Sequence, residues 1–217
     1  HLYPKIGYDT LRDFAPISQL VSIPMVFVVT PSLPAKSISE LVRLAKQKPG
    51  ELFYGTPGLG STAHVSTELF KSMAKIDMIH IPYKGAGPST IALLSGEVQL
   101  MFASIPPTLA HVRSGKLRAL GVGSANRVPS QAEFPTIAES GVPDYEAVPY
   151  YTLSTSSKVA ADIVRKLAAG SDAFIKAPDL QKRWTELGVT PLGGTPEAAL
   201  KRNQVETTKW SRVIKAA

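Results

Sequence analysis

Cysteine is absent from the 217 residues, which removes disulfides, thiol nucleophiles and cysteine-based zinc sites at once. The lack is compatible with cytoplasm or periplasm and excludes a disulfide-stapled secreted fold. Long apolar runs are also missing, since nothing approaches the ~18 residues that suggest a membrane span. The longest run, around Ile23 to Val29, is short, bounded by prolines, and reads as a buried strand. Catalytic constellations are lacking too: there is no Gly-x-Ser-x-Gly elbow, no P-loop and no His-Glu-x-x-His. The four histidines, His1, His64, His80 and His111, show no metal-ligand spacing. The chain therefore reads as neither an enzyme nor a cofactor or metal protein.

Hydrophobic residues make up 44% and charged residues 19%, an ordinary balance for a folded globular chain. Basic residues outnumber acidic ones by 24 to 17, for a net charge of +7, which favours anionic partners in general. The lysines and arginines are scattered, with no block of five and no aromatic-basic interleaving, so no nucleic-acid partner is expected. The start, His1-Leu2-Tyr3-Pro4, has neither the basic opening nor the apolar core of a signal peptide.

Strands and helices alternate at short intervals, which predicts an α/β fold with mostly parallel pairing. Strands are expected over Pro24 to Val29, Leu52 to Tyr54, Met78 to Ile81, Val98 to Phe102, Leu117 to Val122 and Tyr145 to Leu153. Ser37-x-x-Glu40 is a capping box that opens a helix carrying Ile38, Leu41, Val42 and Ala45. The next helix aligns Val65, Leu69 and Met73, and Pro88 suits the first position of another that carries Ile91 and Leu94. Pro107 to Val112 makes a further short helix. Three more follow near Ala160–Lys176, Pro178–Leu187 and Pro196–Ala216, with Trp184 and Trp210 expected in the core. The C-terminal part supplies too few strands to cover these helices.

Two glycine-rich loops between a strand and a helix carry the chemistry. In parallel α/β sheets, ligands sit outside the carboxyl ends of strands, and a helix N-terminus offers free amides and a positive dipole end. The loop Gly55 to Thr62 adds the hydroxyls of Thr56, Ser61 and Thr62. The loop Gly85 to Pro88 opens the next helix along the sheet. Either alone is as readily a tight turn; two on successive strand ends point to a carboxylate site. His64, in the first turn, could face a ligand, although a structural histidine satisfied by a neighbouring carbonyl is the simpler reading. Gly58-Leu-Gly60-Ser-Thr-Ala63 fits a loosened dinucleotide fingerprint, but the next strand ends in Pro82-Tyr83-Lys84, without the acid that grips a ribose.

Many further residues resemble one family in one order. They are Leu2-Tyr3-Pro4, Tyr8-Asp9, Asp13-Phe-Ala-Pro16, Pro31-Ser-Leu-Pro34, and Leu52-Phe-Tyr-Gly55 through Gly58-x-Gly60-Ser61-x-x-His64. Ile81-Pro-Tyr-Lys-Gly85, Gly115-Lys-Leu-Arg-Ala-Leu120 and Phe134-Pro-Thr-Ile-Ala-Glu-Ser-Gly141 complete the set. The chain resembles the Bug/TctC family, the extracytoplasmic receptors of tripartite tricarboxylate transporters. The resemblance implies a periplasmic-binding-protein fold (Venus-flytrap, type 2-like) of two αβ lobes with a ligand cleft between them. It implies a periplasmic, monomeric receptor that captures a small carboxylate and delivers it to integral-membrane permease subunits. Contacts carried over are Thr56, Gly58, Leu59, Gly60, Ser61, His64, Gly85, Ala86 and Gly87, with Tyr150 lining the cleft from the other lobe.

Three departures qualify the resemblance. Family members begin about half a lobe earlier, so the first lobe is expected to be incomplete here: 1–24 a remnant of lobe 1 and the first hinge strand, 25–122 lobe 2, and 123–217 the second crossing and the C-terminal part of lobe 1. With half the clamp gone, residues 1–217 alone are expected to bind weakly or not at all. Where members often carry Asp-Asn after the Met-Phe strand, this chain has Ala103-Ser104, which predicts a ligand without an ammonium group contacted by Ser104. The family's Pro-Gly-rich turn is replaced by Thr155-Ser-Ser-Lys-Val159. The main alternative is the effector-binding domain of a transcription regulator with the same bilobed fold.

Overall fold

Two prolines, Pro24 and Pro149, stand where the chain leaves one unit and returns to it. The computed structural model describes residues 6–216; residues 1–5, with the Leu2-Tyr3-Pro4 motif, and Ala217 lie outside them. One unit comprises His1–Ile23 and Pro149–Ala217, and the other Pro24–Val148. The segment after Gly123 thus stays with the second unit as far as Val148, where the sequence pattern ended that lobe at Val122.

The first strand, β1 (Phe14–Ser22), belongs to the discontinuous unit. The continuous unit opens on β2 (Met25–Val29), a run of five buried residues. Its sheet has the order β4-β3-β5-β2-β6, with β3 (Phe53–Thr56), β4 (Ile79–Pro82), β5 (Leu100–Ser104) and β6 (Arg118–Val122). β3 is parallel to β4 and β5, whereas β2 is antiparallel to β5 and β6. The sheet is therefore mixed, which corrects the expectation of mostly parallel pairing. β3 to β6 do run one way, as their alternation with helices requires. Only β2, which enters from the other unit, is inserted in reverse between β5 and β6.

Four helices follow these strands: α1 (Ile38–Gln47), α2 (Thr62–Ala74), α3 (Ala86–Ser95) and α4 (Ile105–Arg113). Ser37 caps α1 by accepting from the Glu40 amide at 3.2 Å, while Glu40 accepts from the Lys36 amide at 2.7 Å. The buried face of α2 is Ala63, Ser66, Thr67, Phe70 and Ala74 rather than Val65, Leu69 and Met73. Small residues let this helix approach the sheet, and Thr67 returns its hydroxyl proton to the Ala63 carbonyl at 2.8 Å. α3 begins two residues before Pro88 and buries Ser89, Ala92 and Leu93, leaving Ile91 and Leu94 exposed.

Phe27, Phe70, Phe102 and Tyr145 form the aromatic centre of this unit, with ring centroids 5.0 to 6.3 Å apart. Tyr145 arrives on the irregular return segment and donates its hydroxyl to the Ser66 carbonyl at 2.9 Å. Gly123 lets that segment in, because a Cβ there would lie 2.5 Å from Phe102 Cζ and 2.8 Å from the Ala147 carbonyl oxygen.

The discontinuous unit holds a three-stranded antiparallel sheet of order β7-β1-β8, with β7 (Tyr150–Ser156) and β8 (Thr190–Gly193). Its helices are α5 (Ala161–Ile175), α6 (Pro178–Glu186) and α7 (Pro196–Ala216). β8 was not anticipated, since Thr-Pro-Leu-Gly is too short and proline-bearing to show period-2 alternation. Tyr145 to Pro149, expected as strand, precede β7. Ile17 packs with Val159, Val164 and Ala168, while Ile163, Leu167 and Phe174 stay exposed on α5. Neither tryptophan is core: Trp184 meets Phe174 edge-on at 6.3 Å, and Trp210 donates to Glu206 at 2.8 Å, both partly exposed. Among the described residues no helix is long and apolar enough to cross a membrane.

The same substitution should have opposite effects at two glycines. Gly123→Ala overpacks against Phe102 and should destabilise by about 1–3 kcal/mol. Gly170→Ala, inside α5 with open space where the Cβ would go, should stabilise by roughly 0.5–1 kcal/mol. Urea unfolding of the two variants beside the parent protein measures both signs.

Candidate functional site

β4, β3 and β5 are adjacent and parallel, so their carboxyl ends share one edge of the sheet, and each runs into a helix there. The N-termini of α2, α3 and α4 are gathered at that edge. Pairing continues past the strands: the Tyr83 amide donates to the Thr56 carbonyl and the Gly85 amide to the Pro57 carbonyl, both at 2.9 Å. The two glycine-rich loops are thereby fastened together.

Charge distinguishes these three helix starts from the other four. α1, α5, α6 and α7 carry Glu40, Asp162, Asp179 and Glu197 in their first turns, whereas α2, α3 and α4 carry no acid there. An acid in the first turn offsets the positive end of the helix dipole. At the strand edge that offset is withheld, leaving first-turn amides that helix geometry cannot satisfy internally. α4 contributes fewer of them, since Pro106 and Pro107 have no N–H.

Thr56 ends β3 fully buried, and its hydroxyl is committed. It accepts from the Gly58 amide at 3.3 Å, donates to the Gly58 carbonyl at 3.2 Å, and lies 2.6 Å from His80 Nε2. It therefore braces the loop, and its side chain has no donor to spare for a ligand. Gly58 (φ 147°), Leu59 and Gly60 (φ 71°) form the turn, with Leu59 exposed. Gly58 sits where a Cβ would press on the Tyr83 carbonyl at 3.4 Å. Ser61 caps α2, its oxygen accepting from the His64 amide at 3.3 Å. That leaves the Ser61 proton to donate elsewhere.

His64 Nδ1 accepts from the Gly60 amide at 3.1 Å, so a neutral His64 carries its proton on Nε2 as a further donor. Gly85 (φ 110°) opens α3 without a side-chain cap, and Ala86 and Gly87 are exposed in its first turn. Ser104 ends β5 as the N-cap of α4, and its hydroxyl makes no capping bond. These residues lie in one unit. Tyr150 is in the other, as the first residue of β7. It is partly exposed and donates to Asn203 at 3.0 Å.

A polar stack beneath the loops had no counterpart in the sequence reading. The rings of Tyr54, His80 and His64 lie face to face, 4.9 and 4.1 Å apart. The Tyr54 hydroxyl donates to Glu68, which Lys71 also contacts at 2.9 Å. Burial, with His64 lying on its face, pushes His80 down to about 4. Burial lowers His64 as well, against the attraction of Glu68. Burial and the Glu68 carboxylate hold the Tyr54 proton well beyond the ordinary phenol range. Tyr54 and His80 are register partners on neighbouring strands, a pairing that no local spacing reveals. The i,i+3 spacing of Glu68 and Lys71 is the one signal available in the sequence. Among the described residues no cluster could hold a metal ion.

Three helix N-termini without a first-turn acid thus share one edge of the sheet. The family described as "Tripartite tricarboxylate transporter family receptor" matches residues 1–217. The chain belongs to that family, whose members are periplasmic solute-binding receptors and not enzymes. BugT of Bordetella pertussis is 32% identical over 214 residues, covering 99% of this chain and 66% of BugT. A protein of R. palustris solved with adipate is 36% identical with a TM-score of 0.90, covering 99% of this chain and 72% of its own. MatC of Rhodopseudomonas palustris, solved with bound malate, is 27% identical with a TM-score of 0.86, covering 98% and 74%. The chain thus spans about two thirds of the length of the curated relatives it matches. The fold is that of Bug/TctC periplasmic binding proteins, and a transcription regulator's effector domain is not favoured.

The stacked imidazoles make stability depend on pH. Both are held neutral in the fold, so the unfolded chain binds more protons below its histidine value of 6.5. Stability is therefore full above that value and falls as pH drops from 6.5 toward about 4. Urea midpoints across this range should decline with acid, and His80→Gln should flatten the slope. An unchanged slope would show that the stack does not set it.

Proposed function

We propose that this protein is an extracytoplasmic receptor that captures a small organic carboxylate in the periplasm for a tripartite tricarboxylate-type transporter. It acts as a monomer and hands its solute to integral-membrane permease subunits. The observation that carries this reading is the selective absence of first-turn acids from α2, α3 and α4. A carboxylate replaces the missing counter-charge and accepts the free amides of Thr62, Ala63, Ala86 and Gly87. Ser61, His64 Nε2–H and Ser104 add side-chain donors around it, while Gly58, Leu59, Gly60 and Gly85 shape the loops. Adipate and malate in the solved relatives support the solute class.

The position after Phe102 refines the choice of solute. Ala103 is buried in the core and Ser104 is neutral, so this edge offers no carboxylate to an ammonium group. A deaminated acid should therefore bind more tightly than the matching amino acid. Calorimetric titration with malate, adipate and aspartate tests this, and tighter binding of aspartate would overturn it. Ser104→Asp keeps a good N-cap residue but restores an acid to the α4 start. Carboxylate affinity should fall by at least about tenfold, with folding unchanged. Carboxylates that bind Ser104→Asp as tightly as the parent protein would remove the strand edge from the proposal.

A further inference from the structure

A second polar cluster lies wholly within the discontinuous unit, on the α7 side of its sheet. Gln19 in β1 and Thr152 in β7 are register partners, and directly opposed residues of an antiparallel pair project to the same face. Tyr150, two residues before Thr152 on an unbroken strand, shares that face. Over it lies Arg202 of α7, its guanidinium carbon 4.5 Å from the Tyr150 ring centroid and one nitrogen 3.2 Å from Gln19 Oε1. Asn203 fixes the tyrosine in turn, accepting its hydroxyl proton at 3.0 Å.

Arg202 is thus partly buried and held by an aromatic face and a neutral amide. Among the described residues no carboxylate forms an ion pair with it. Glu206, one turn along α7, instead accepts from the Trp210 indole at 2.8 Å. On the same face the Thr152 hydroxyl oxygen is buried and has no hydrogen-bond partner. A partly desolvated cation with no carboxylate in contact, on the same face as an unsatisfied hydroxyl, is costly unless something completes both. Guanidinium planes stacked on aromatic rings are suited to bidentate oxyanion recognition, because the fork is fixed while its remaining donors stay free.

We infer that Arg202, positioned by Tyr150 and Gln19, forms with Thr152 an oxyanion seat in this unit that takes a carboxylate group. The inference rests on the proposed function only in naming the oxyanion a carboxylate. It gives Arg202 direct contact with the ligand, with Tyr150, Gln19 and Asn203 as positioning residues.

Residue-resolved NMR of the 217-residue protein, titrated with adipate and with hexanoate, tests this. With adipate, the Arg202 Nε–H and Thr152 signals should shift saturably, at concentrations that leave the exposed Arg113, Arg165 and Arg183 unmoved. Arg202→Gln should abolish the shifts at Thr152 and weaken adipate by at least about tenfold, the scale of a lost charge-assisted bidentate contact. Hexanoate, which also carries a carboxylate, should move the same two signals. Shifts confined to residues 55–64 and 85–89, or equal shifts at every arginine, would overturn the seat while leaving the proposed function standing. The absence of any saturable shift at Arg202 and Thr152 would likewise overturn the seat. The titration of the unsubstituted protein decides these outcomes even if Arg202→Gln fails to fold.

Discussion

The hydrogen bond between Thr56 and His80, at 2.6 Å, is the constraint on which the candidate site depends. It joins the ends of two neighbouring parallel strands just before each becomes a glycine-rich loop. The same hydroxyl satisfies Gly58, and the same imidazole stacks between Tyr54 and His64. His64 then receives the Gly60 amide. One neutral, partly buried chain of contacts therefore sets the path of the first loop and its distance from the second. Charging either imidazole would put a cation against its stacked neighbour in a partly desolvated place, so the arrangement holds only while both stay neutral.

On that frame, the charge pattern of the helix starts acquires meaning. Four helices carry a first-turn acid, which offsets their own dipoles and adds local stability. Three forgo that gain, and those three share one edge of one sheet. Giving up a local stabilisation at neighbouring sites, with the fold otherwise regular, matches the general trade between stability and a functional surface. In the proposed receptor, an anion that arrives there would meet donors already in place, which lowers the ordering cost of binding.

The discontinuous unit divides its two sheet faces differently. Toward α5 it packs Ile17 with Val164 and Ala168, but Leu153, Ile163, Leu167 and Phe174 remain open to solvent and line an apolar groove. Toward α7 it gathers polar groups around a stacked guanidinium. The Gln19–Arg202 contact links residues 183 positions apart, and the irregular register of β1 and β7 is what brings Tyr150, Thr152 and Gln19 under one helix.

Much of this could be read along the chain. The Ser37 cap, the helices near 161, 178 and 196, and the two glycine-rich loops follow from local rules that need only a few neighbouring residues. Each rule ends where long-range pairing begins. Alternation marked β3 to β6 as running one way but could not show β2 entering reversed from another unit. Periodicity proposed Val65, Leu69 and Met73 as the inner face of α2, but packing against the sheet selected the smaller Ala63, Ser66 and Thr67, which allow closer approach. Local spacing offers Thr56 as a ligand donor, whereas His80, 24 residues away, engages its hydroxyl. Local spacing determined where helix starts present free amides, because a helix start is made by adjacent residues. Only the tertiary structure decided which hydroxyls and charges beside them were left free, because their competing partners come from distant strands and helices.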